Sequence, residues 1–485
     1  MGSGHFLSRA TDFLAEAIAT DPFVKAPPEL AEDSELTYYR RRVVESCIYG
    51  VDLNPLAVEL AKLSLWLHTV SLDKPLNFLD HHLRCGNSLI GARLDDLGIL
   101  PEMAKRGKKP TAVTTLAGHK FQDAIASAVS TFQEIAEASS DSVEDIHRKE
   151  SAYERAKYAL SQIKAIADVW TSAYFGNEVR DKDAYERLLS LTEGSAEWPK
   201  PGELPWQDKA KTIAEERRFF HWELEFPEIF FDRNGQRLQN PGFSTVVGNP
   251  PYGIELGSHE SIFVDALTNR SQNGRLDSAA LFVEQALQLI GEKGWETYLL
   301  PYRLVSRRRD FGNFQKFLYR ETSIAELDYL GTVREFESND EFMLLFLRKD
   351  KGKTPESNIM RIGIDVRPQE LASNSMIHHA IPQSAWGPPD CYMNIRVALL
   401  EPTLLQKMRS VSFPLGHIAD SKDGIVPFIR DKLVAYERND ERYRRLLGIK
   451  GAYWLDRYEL DWGGTWICYD MNEARKFITD PLELR

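Results

Sequence analysis

The chain predicts a doubly wound α/β domain, and three observations carry that prediction. Short β-branched runs alternate with helical stretches along most of its length, the signature of a largely parallel sheet with crossover helices. Three of those runs end in turns built from glycine, an acidic residue or paired prolines, where open α/β sheets hold ligands. No run approaches the roughly eighteen apolar residues that span a bilayer.

The elements follow in order. "MGSGHFLSRATDFLAEAIA" is a glycine turn followed by Phe6, Leu7, Phe13, Leu14, Ala17 and Ile18 at helical spacing. "CIYGVDLNPLAVELAKLSLWLH" predicts a strand over Cys47–Val51, the acidic Asp52 at its end, and a helix from Pro55, since proline suits a first helical turn. "LRCGNSLIG" reads as strand, turn and apolar run. From about 100 to 240 the pattern changes to a polar, helical insertion whose stretch Phe121–Tyr174 suits an antiparallel helix pair. Beyond it, "DSAALFVEQALQLIGEKG" predicts a helix closed by Gly294, "WETYLLP" a strand, "FGNFQKFLYRET" a helix and "IAELDYLG" a strand. "EFESNDEFMLLFLRK" predicts a turn feeding a final strand. The polar "KDKGKTPE", Lys349–Glu356, marks a linker. The first domain therefore covers 1–350 and a second, mixed one 357–485.

Composition narrows the function. A chain of 485 residues holds two or three domains, and its formal charge of −12 argues against a protein that coats nucleic acid by charge alone. Local basic grooves stay open as a reading. Arg303, Arg307, Arg308 and Arg309 cluster after "YLLPY", and Lys422–Arg457 carries nine basic against six acidic side chains, each equally readable as a solvated face. Cys47, Cys85, Cys391 and Cys468 are far apart, and the pairs His81-His82 and His378-His379 are adjacent, so no metal site is expected. The absence of a signal-peptide pattern predicts a cytoplasmic protein with no membrane partner.

The chemistry concentrates in Val246–Gly253, "VVGNPPYG". Branched residues end a strand, and two prolines then forbid both a central strand and a helix, which leaves a stiff turn. That turn offers the Asn249 side-chain carbonyl, a free backbone carbonyl at Pro250, and the Tyr252 ring. Two acceptors and a flat apolar face suit a planar group bearing an exocyclic amine. A Pro-rich surface loop is the plainer alternative. With Gly2-Ser3-Gly4 and Asp52 at two other strand ends, the order of the three turns resembles a nucleotide-type cofactor pocket.

"MGSGHFL", "YGVDLNPLAVELAKLSLWL", "CGNSLIG", "VVGNPPYG", "DSAALFVEQAL" and "REFESNDEFMLLFLRK" resemble successive motifs of N6-adenine DNA methyltransferases of the Asn-Pro-Pro-Tyr class. The likeness extends to the large type IIG restriction-modification and phage-defence enzymes, whose target-recognition domain is echoed in "DGIVPFIRDKLV" and "RLLGIKGAYWLDRYELDWGGTWICYD". The resemblance implies a class I, Rossmann-like fold with a helical insertion and a mixed α/β recognition domain. It implies S-adenosylmethionine as methyl donor, adenine N6 in double-stranded DNA as acceptor, and a role in restriction-modification. By the same resemblance Gly2, Ser3 and Gly4 form the cofactor loop, Asp52 holds the ribose, and Leu53, Asn87 and Ser88 line the cofactor site. Asn87 stands where many relatives carry aspartate. Asn249, Pro250 and Pro251 form the catalytic turn with Tyr252, which stacks on the target base with Phe336 facing it.

The family's first strand ends in Asp-Pro-Ala just ahead of the glycine loop, whereas here Met1 directly precedes Gly2. The expectation is a piece of a longer enzyme that works with a missing N-terminal segment or other defence-system subunits, and whose recognition domain stops short. Two alternatives stand beside it. One is an inactive fragment that only binds DNA or a partner. The other is a protein-glutamine or RNA adenine N-methyltransferase, since the same turn presents planar amides.

Overall fold

A computed structural model describes residues 1–25, 35–70, 75–101, 121–179, 182–190, 205–253, 257–267, 277–333, 340–350 and 352–387, single residues 391, 393 and 395, the pair 410–411, and strands at 434–435, 443–445 and 466–468. It divides into two units, Met1–Glu401 and Pro402–Arg485.

In the first unit, helices α1 (His5–Ala19) and α2 (Glu35–Ser46) lead to strand β1 (Gly50–Asp52), helix α3 (Pro55–His68) and strand β2 (Leu83–Cys85). β1 and β2 pair in parallel, Val51 opposite Arg84. α3 starts where it does because Asn54 accepts the Leu56 N–H at 3.0 Å and Pro55 has no N–H to satisfy. Its inner face buries Val58, Ala61 and Leu65 against Ala15, Val43 and Leu83. Its outer face is also apolar: Leu56, Leu60, Leu63 and Leu67, spaced four, three and four residues apart, are 43–69% exposed. Helices usually turn charge outward, so this face is unusual for a surface helix.

Every described regular element between Cys85 and Phe243 is helical. α4 (Gln122–Glu137) and α5 (Val143–Ser172) pack side by side, followed by α6 (Lys182–Ser190) and α7 (Pro205–Arg217). Ile125, Phe132, Ile163, Trp170 and Tyr185 fill the core between them. α5 begins at a reciprocal cap, Ser142 to Asp145 and back.

A six-stranded sheet follows, in the order β3-β4-β6-β5-β7-β8: β3 (Phe243–Gly248), β4 (Ile290–Pro301), β5 (Ser323–Thr332), β6 (Glu341–Arg348), β7 (Ile359–Gly363) and β8 (His378–Pro382). β3–β4 and β5–β7 are parallel, while β6 runs antiparallel between β4 and β5, and β8 antiparallel to β7. Helices α8 (Ser258–Leu267), α9 (Ser278–Leu289) and α10 (Arg308–Glu321) connect the strands. Leu300, Leu304, Phe314, Leu327, Met343 and Trp386 form the sheet's core, each buried side chain contributing about 1.5–3 kcal/mol.

Three expectations are corrected. The helix after Asp277 ends at Leu289, and Gly294 lies within β4, because Ile290 already pairs with Phe243. A Cβ at Gly294 would stand 2.8 Å from the Gly291 carbonyl oxygen, so this glycine serves a tight irregularity in the strand. The stretch Glu341–Arg348 is not the last strand, and Lys349–Glu356 is no domain boundary. The chain returns as β7, whose Leu327↔Ile362 pairing places it in the same sheet, and the unit continues to Glu401. Among the described residues β1–β2 forms a separate two-stranded piece.

The second unit contains a three-stranded antiparallel sheet of Val434–Ala435, Trp466–Cys468 and Tyr443–Arg445, with the middle strand between the other two. Among the described residues no helix is long and apolar enough to cross a membrane.

Candidate active site

At the carboxyl end of β3 the chain turns as the prolines require. Gly248 is needed there, because a Cβ would stand 2.7 Å from the Tyr298 ring on neighbouring β4. Asn249 is exposed, Pro250 buried and Tyr252 half-buried. The Pro251 carbonyl accepts from the Ser278 hydroxyl at 2.6 Å, while the Pro250 carbonyl has no hydrogen-bond partner among the described residues. Tyr252 lays its ring 5.7 Å from that of Phe342, centroid to centroid. Its hydroxyl donates to Asn249 Oδ1 and to the Leu299 carbonyl at 3.2 Å. Burial pushes the phenol up to about 12, so it stays a donor.

A polar scaffold that sequence reasoning missed holds this turn. Asp277 caps α9 through the Ala279 N–H at 3.0 Å, reaches the Gly253 N–H at 3.4 Å, and pairs with Arg303 at 2.9 Å. Arg303 in turn pairs with Asp340 at 2.6 Å. Arg303 was one of four arginines readable as a basic groove; its charge is spent on two carboxylates. "DSAALF" did signal a helix cap, but nothing in the sequence joins Asp277 to Arg303. Phe336 and the C-terminal basic stretch, apart from the strands Val434–Ala435 and Tyr443–Arg445, lie outside the described residues.

The second cluster lies at the carboxyl ends of β1 and β2. Gly2 donates its N–H to Asp52 Oδ2 at 2.8 Å, and the Met1 amine lies 3.2 Å from the same oxygen. Asp52 Oδ1 accepts the Asn54 N–H at 2.9 Å. Asp52 is therefore the partner of the glycine loop, while Asn54 caps α3. Burial alone would raise the Asp52 pKa, but the Asn54 and Gly2 N–H groups and the Met1 ammonium outweigh it and hold the carboxyl below its usual range. Gly4 sits at φ 88°, and a Cβ there would press to 3.1 Å on Ala61 of α3. Beside Gly2 the space is open: a Cβ would meet nothing within 4 Å.

Leu53, Asn87 and Ser88 flank this cluster. Asn87 accepts the Leu89 N–H at 3.1 Å, and its own N–H reaches the Arg218 carbonyl at 2.7 Å. The Ser88 carbonyl accepts from Trp222 at 3.0 Å. Arg218 is a second residue that sequence reasoning missed. It holds a left-handed φ of 55°, rare without glycine, and its guanidinium donates to the Leu53 carbonyl. A loop of the insertion thus reaches back to the carboxyl end of the small sheet. A cavity of about 640 Å³ between α3, β2 and α5 is a different place, lined by the ion-paired Lys62, Asp80, Arg84 and Glu225.

A glycine loop ahead of a helix and bonded to an acidic strand end, within one mixed α/β unit that also carries an Asn-Pro-Pro-Tyr turn, defines a methyltransferase of Rossmann type. Residues 46–336 match the model of the Eco57I restriction-modification methylase, and the chain belongs to that family.

A Methanocaldococcus jannaschii protein, named as a type II restriction enzyme and methyltransferase, is 23% identical over 356 residues, 68% of this chain and 28% of the relative. The Eco57I type II restriction enzyme and methyltransferase of Escherichia coli is 29% identical over 129 residues, 25% of this chain and 13% of the relative. The matched stretch thus spans under a third of each relative's length. Similar solved structures include the methyltransferase subunit of a Streptococcus thermophilus type I system, at 13% identity and TM-score 0.27, covering 82% of this chain and 95% of that one. The type IIG endonuclease BpuSI aligns at 11% identity and TM-score 0.26, covering 74% of this chain and 51% of that one. Superpositions with such scores are loose.

Proposed function

We propose that the chain carries the methyl-transfer site of an adenine-N6 DNA methyltransferase, with S-adenosylmethionine as donor and duplex DNA as substrate, in a restriction-modification or phage-defence system. The observation that supports it most is the Asn249–Tyr252 turn, which presents a Pro250 carbonyl with no partner among the described residues beside an exposed Asn249 amide.

Adenine N6 is a weak nucleophile because its lone pair is delocalised into the ring. In this reading Asn249 Oδ1 and the Pro250 carbonyl accept its two hydrogens, which pulls density onto nitrogen and favours a pyramidal amine. Asn249 Oδ1 already accepts from Tyr252, yet a carbonyl oxygen has two lone pairs and can take a second donor. The phenol then fixes the amide's orientation rather than blocking it. Tyr252 offers a face for an adenine flipped out of the duplex, and the resemblance assigns Phe336 as the second aromatic. No basic side chain is required, since the proton leaves after attack, and rate comes from positioning and fixed dipoles.

The donor supplies an electrophilic methyl on a sulfonium. The residues at the β1 and β2 ends suit it: open space beside Gly2, a charged Asp52 with lone pairs left for ribose hydroxyls, and the flanking Leu53, Asn87 and Ser88.

The test supplies labelled S-adenosylmethionine to the enzyme with an adenine-containing duplex, and in parallel with RNA and a glutamine peptide. N6-methyladenine should form in DNA, and Asn249→Ala should lower the rate by about 10²–10³ while cofactor affinity measured by calorimetry stays within a few-fold. An undiminished rate in Asn249→Ala, or label only in RNA or peptide, would overturn the reading.

A further inference from the structure

Far from both clusters in sequence, the outer strands of the large sheet bring two carboxylates and an imidazole onto one face. Glu326 and Asp328 lie two residues apart on β5 and so point the same way. The register places Asp328 opposite Gly363 of β7, and Gly363 opposite His378 of β8. The two side chains therefore sit two strands apart and meet only because the residue between them has no side chain. A Cβ at Gly363 would collide with the Asp328 carboxylate. Across that gap His378 Nε2 stands 2.9 Å from Asp328 Oδ1 and 3.4 Å from Glu326 Oε1. The three donor atoms lie within 4.8 Å of one another.

One atom of this cluster is left over. The Asp328 side chain is 1% exposed, and its Oδ2 has no hydrogen-bond partner. A buried, unsatisfied carboxylate oxygen is costly, and a cation would relieve it.

We propose that Glu326, Asp328 and His378 form a binding site for a divalent transition-metal cation of the zinc type. One imidazole and two carboxylates suit such ions. The spacings also fit, since ligands at about 2.0–2.1 Å around a tetrahedral ion stand about 3.3 Å apart. His378 binds through Nε2 and carries its proton on Nδ1. Arg361 is the competitor: it bonds Glu326 at 3.2 Å and His378 Nδ1 at 2.9 Å. Its side chain is 58% exposed, so it can swing into water as the cation enters. The bound ion would tie β8 to β5 across β7. The expectation of no metal came from spacing along the chain, which does not see a site whose parts are fifty residues apart.

The test is calorimetric titration of the whole chain, stripped with chelator, with Zn²⁺. Wild type should bind one equivalent, and Asp328→Asn and His378→Gln should each weaken binding by about 100-fold or more, beyond the cost of losing a supporting group. Arg361→Gln should tighten it. Should either ligand variant fail to fold, the Co²⁺-loaded wild type decides by its visible spectrum: intense d–d bands of a tetrahedral site support the proposal, and their absence overturns it. No saturable Zn²⁺ binding to wild type, or equal binding in folded Asp328→Asn and His378→Gln, also overturns it.

Discussion

The two halves of the candidate site are built to different standards. The Asn249–Tyr252 turn ends a strand of the six-stranded sheet, leans on the Tyr298 ring, and is tied to Ser278 and to the Asp277–Arg303–Asp340 chain. The Gly2–Gly4 loop lies against α3, where the Ser3 carbonyl accepts from the Ser64 hydroxyl at 2.8 Å, and the Gly2 N–H bonds the Asp52 carboxylate at the end of a three-residue strand. Both rest on an apolar core, but the first is also locked by an ion-pair chain through the buried Asp277, whereas the second has open space beside Gly2 and bonds a single carboxylate there. Damage to the first should therefore appear as lost stability, and damage to the second as lost affinity.

Asp277→Ala tests the first half hardest. It leaves Arg303 with Asp340 alone, uncaps α9 and frees the Gly253 N–H. Breaking a buried pair on one side costs about 3–5 kcal/mol, and the partial exposure of Arg303 places this case near about 3 kcal/mol. Urea denaturation reads that loss, and methyl transfer should fall with it; unchanged stability would show that the turn is held by other contacts.

Asp52→Asn should do the reverse. Its melting temperature should barely move, while S-adenosylmethionine affinity falls roughly 10–100-fold, the worth of hydrogen bonds to a charged group. A large drop in melting temperature with affinity intact would erase the contrast.

Acid separates the halves in a third way. His82, just ahead of β2 and 4.0 Å from the Tyr49 ring, is driven by burial to a pKa of about 3. Its folded value lies below the ordinary 6.5, so its contribution is present above pH 6.5 and is lost as pH falls toward 3. Between pH 7 and 5 that amounts to about 2 kcal/mol. Replacing His82 with Phe removes this loss. The stability difference between variant and wild type, followed by denaturation at each pH, should shift toward the variant by that amount.

The smallest effect expected is that of Tyr252→Phe. It keeps the ring against Phe342 and removes only the phenol that orients Asn249. The rate should fall roughly fivefold, about 1 kcal/mol, with a fluorescent adenine analogue still brightening on binding. A quenched signal would move Tyr252 from orientation to base capture.

Much of this was legible because it is local. Asp52 and the Asn249 turn each announce a backbone that must bend at a strand end, Gly2-Ser3-Gly4 a turn ahead of a helix rather than the strand end expected of it, and the helix after Asn54 follows from one cap and one proline. What could not be read depends on partners distant in sequence. Gly294 looks like a helix stop until Ile290 is known to pair with Phe243. "IMRIG" and "HHAIP" are too short to declare themselves strands before β5 and β7 accept them. Arg303 looks like a ligand for phosphate until Asp277 and Asp340 are seen around it, and Arg218 reads as one more charge in a polar helix. Composition shows charge, but only the fold shows which charges are already matched.

The leucine face of α3 sets terms for anyone handling the protein. Sulfate and phosphate salts are excluded from protein surfaces and so favour covering such a face. Precipitation with ammonium sulfate should begin at low saturation, and retention on a phenyl column should be strong for a chain with a charge of −12. Leu60→Glu and Leu63→Lys, placed at two of the exposed positions, should elute earlier and stay clear at higher concentration, with no change in helix content by circular dichroism.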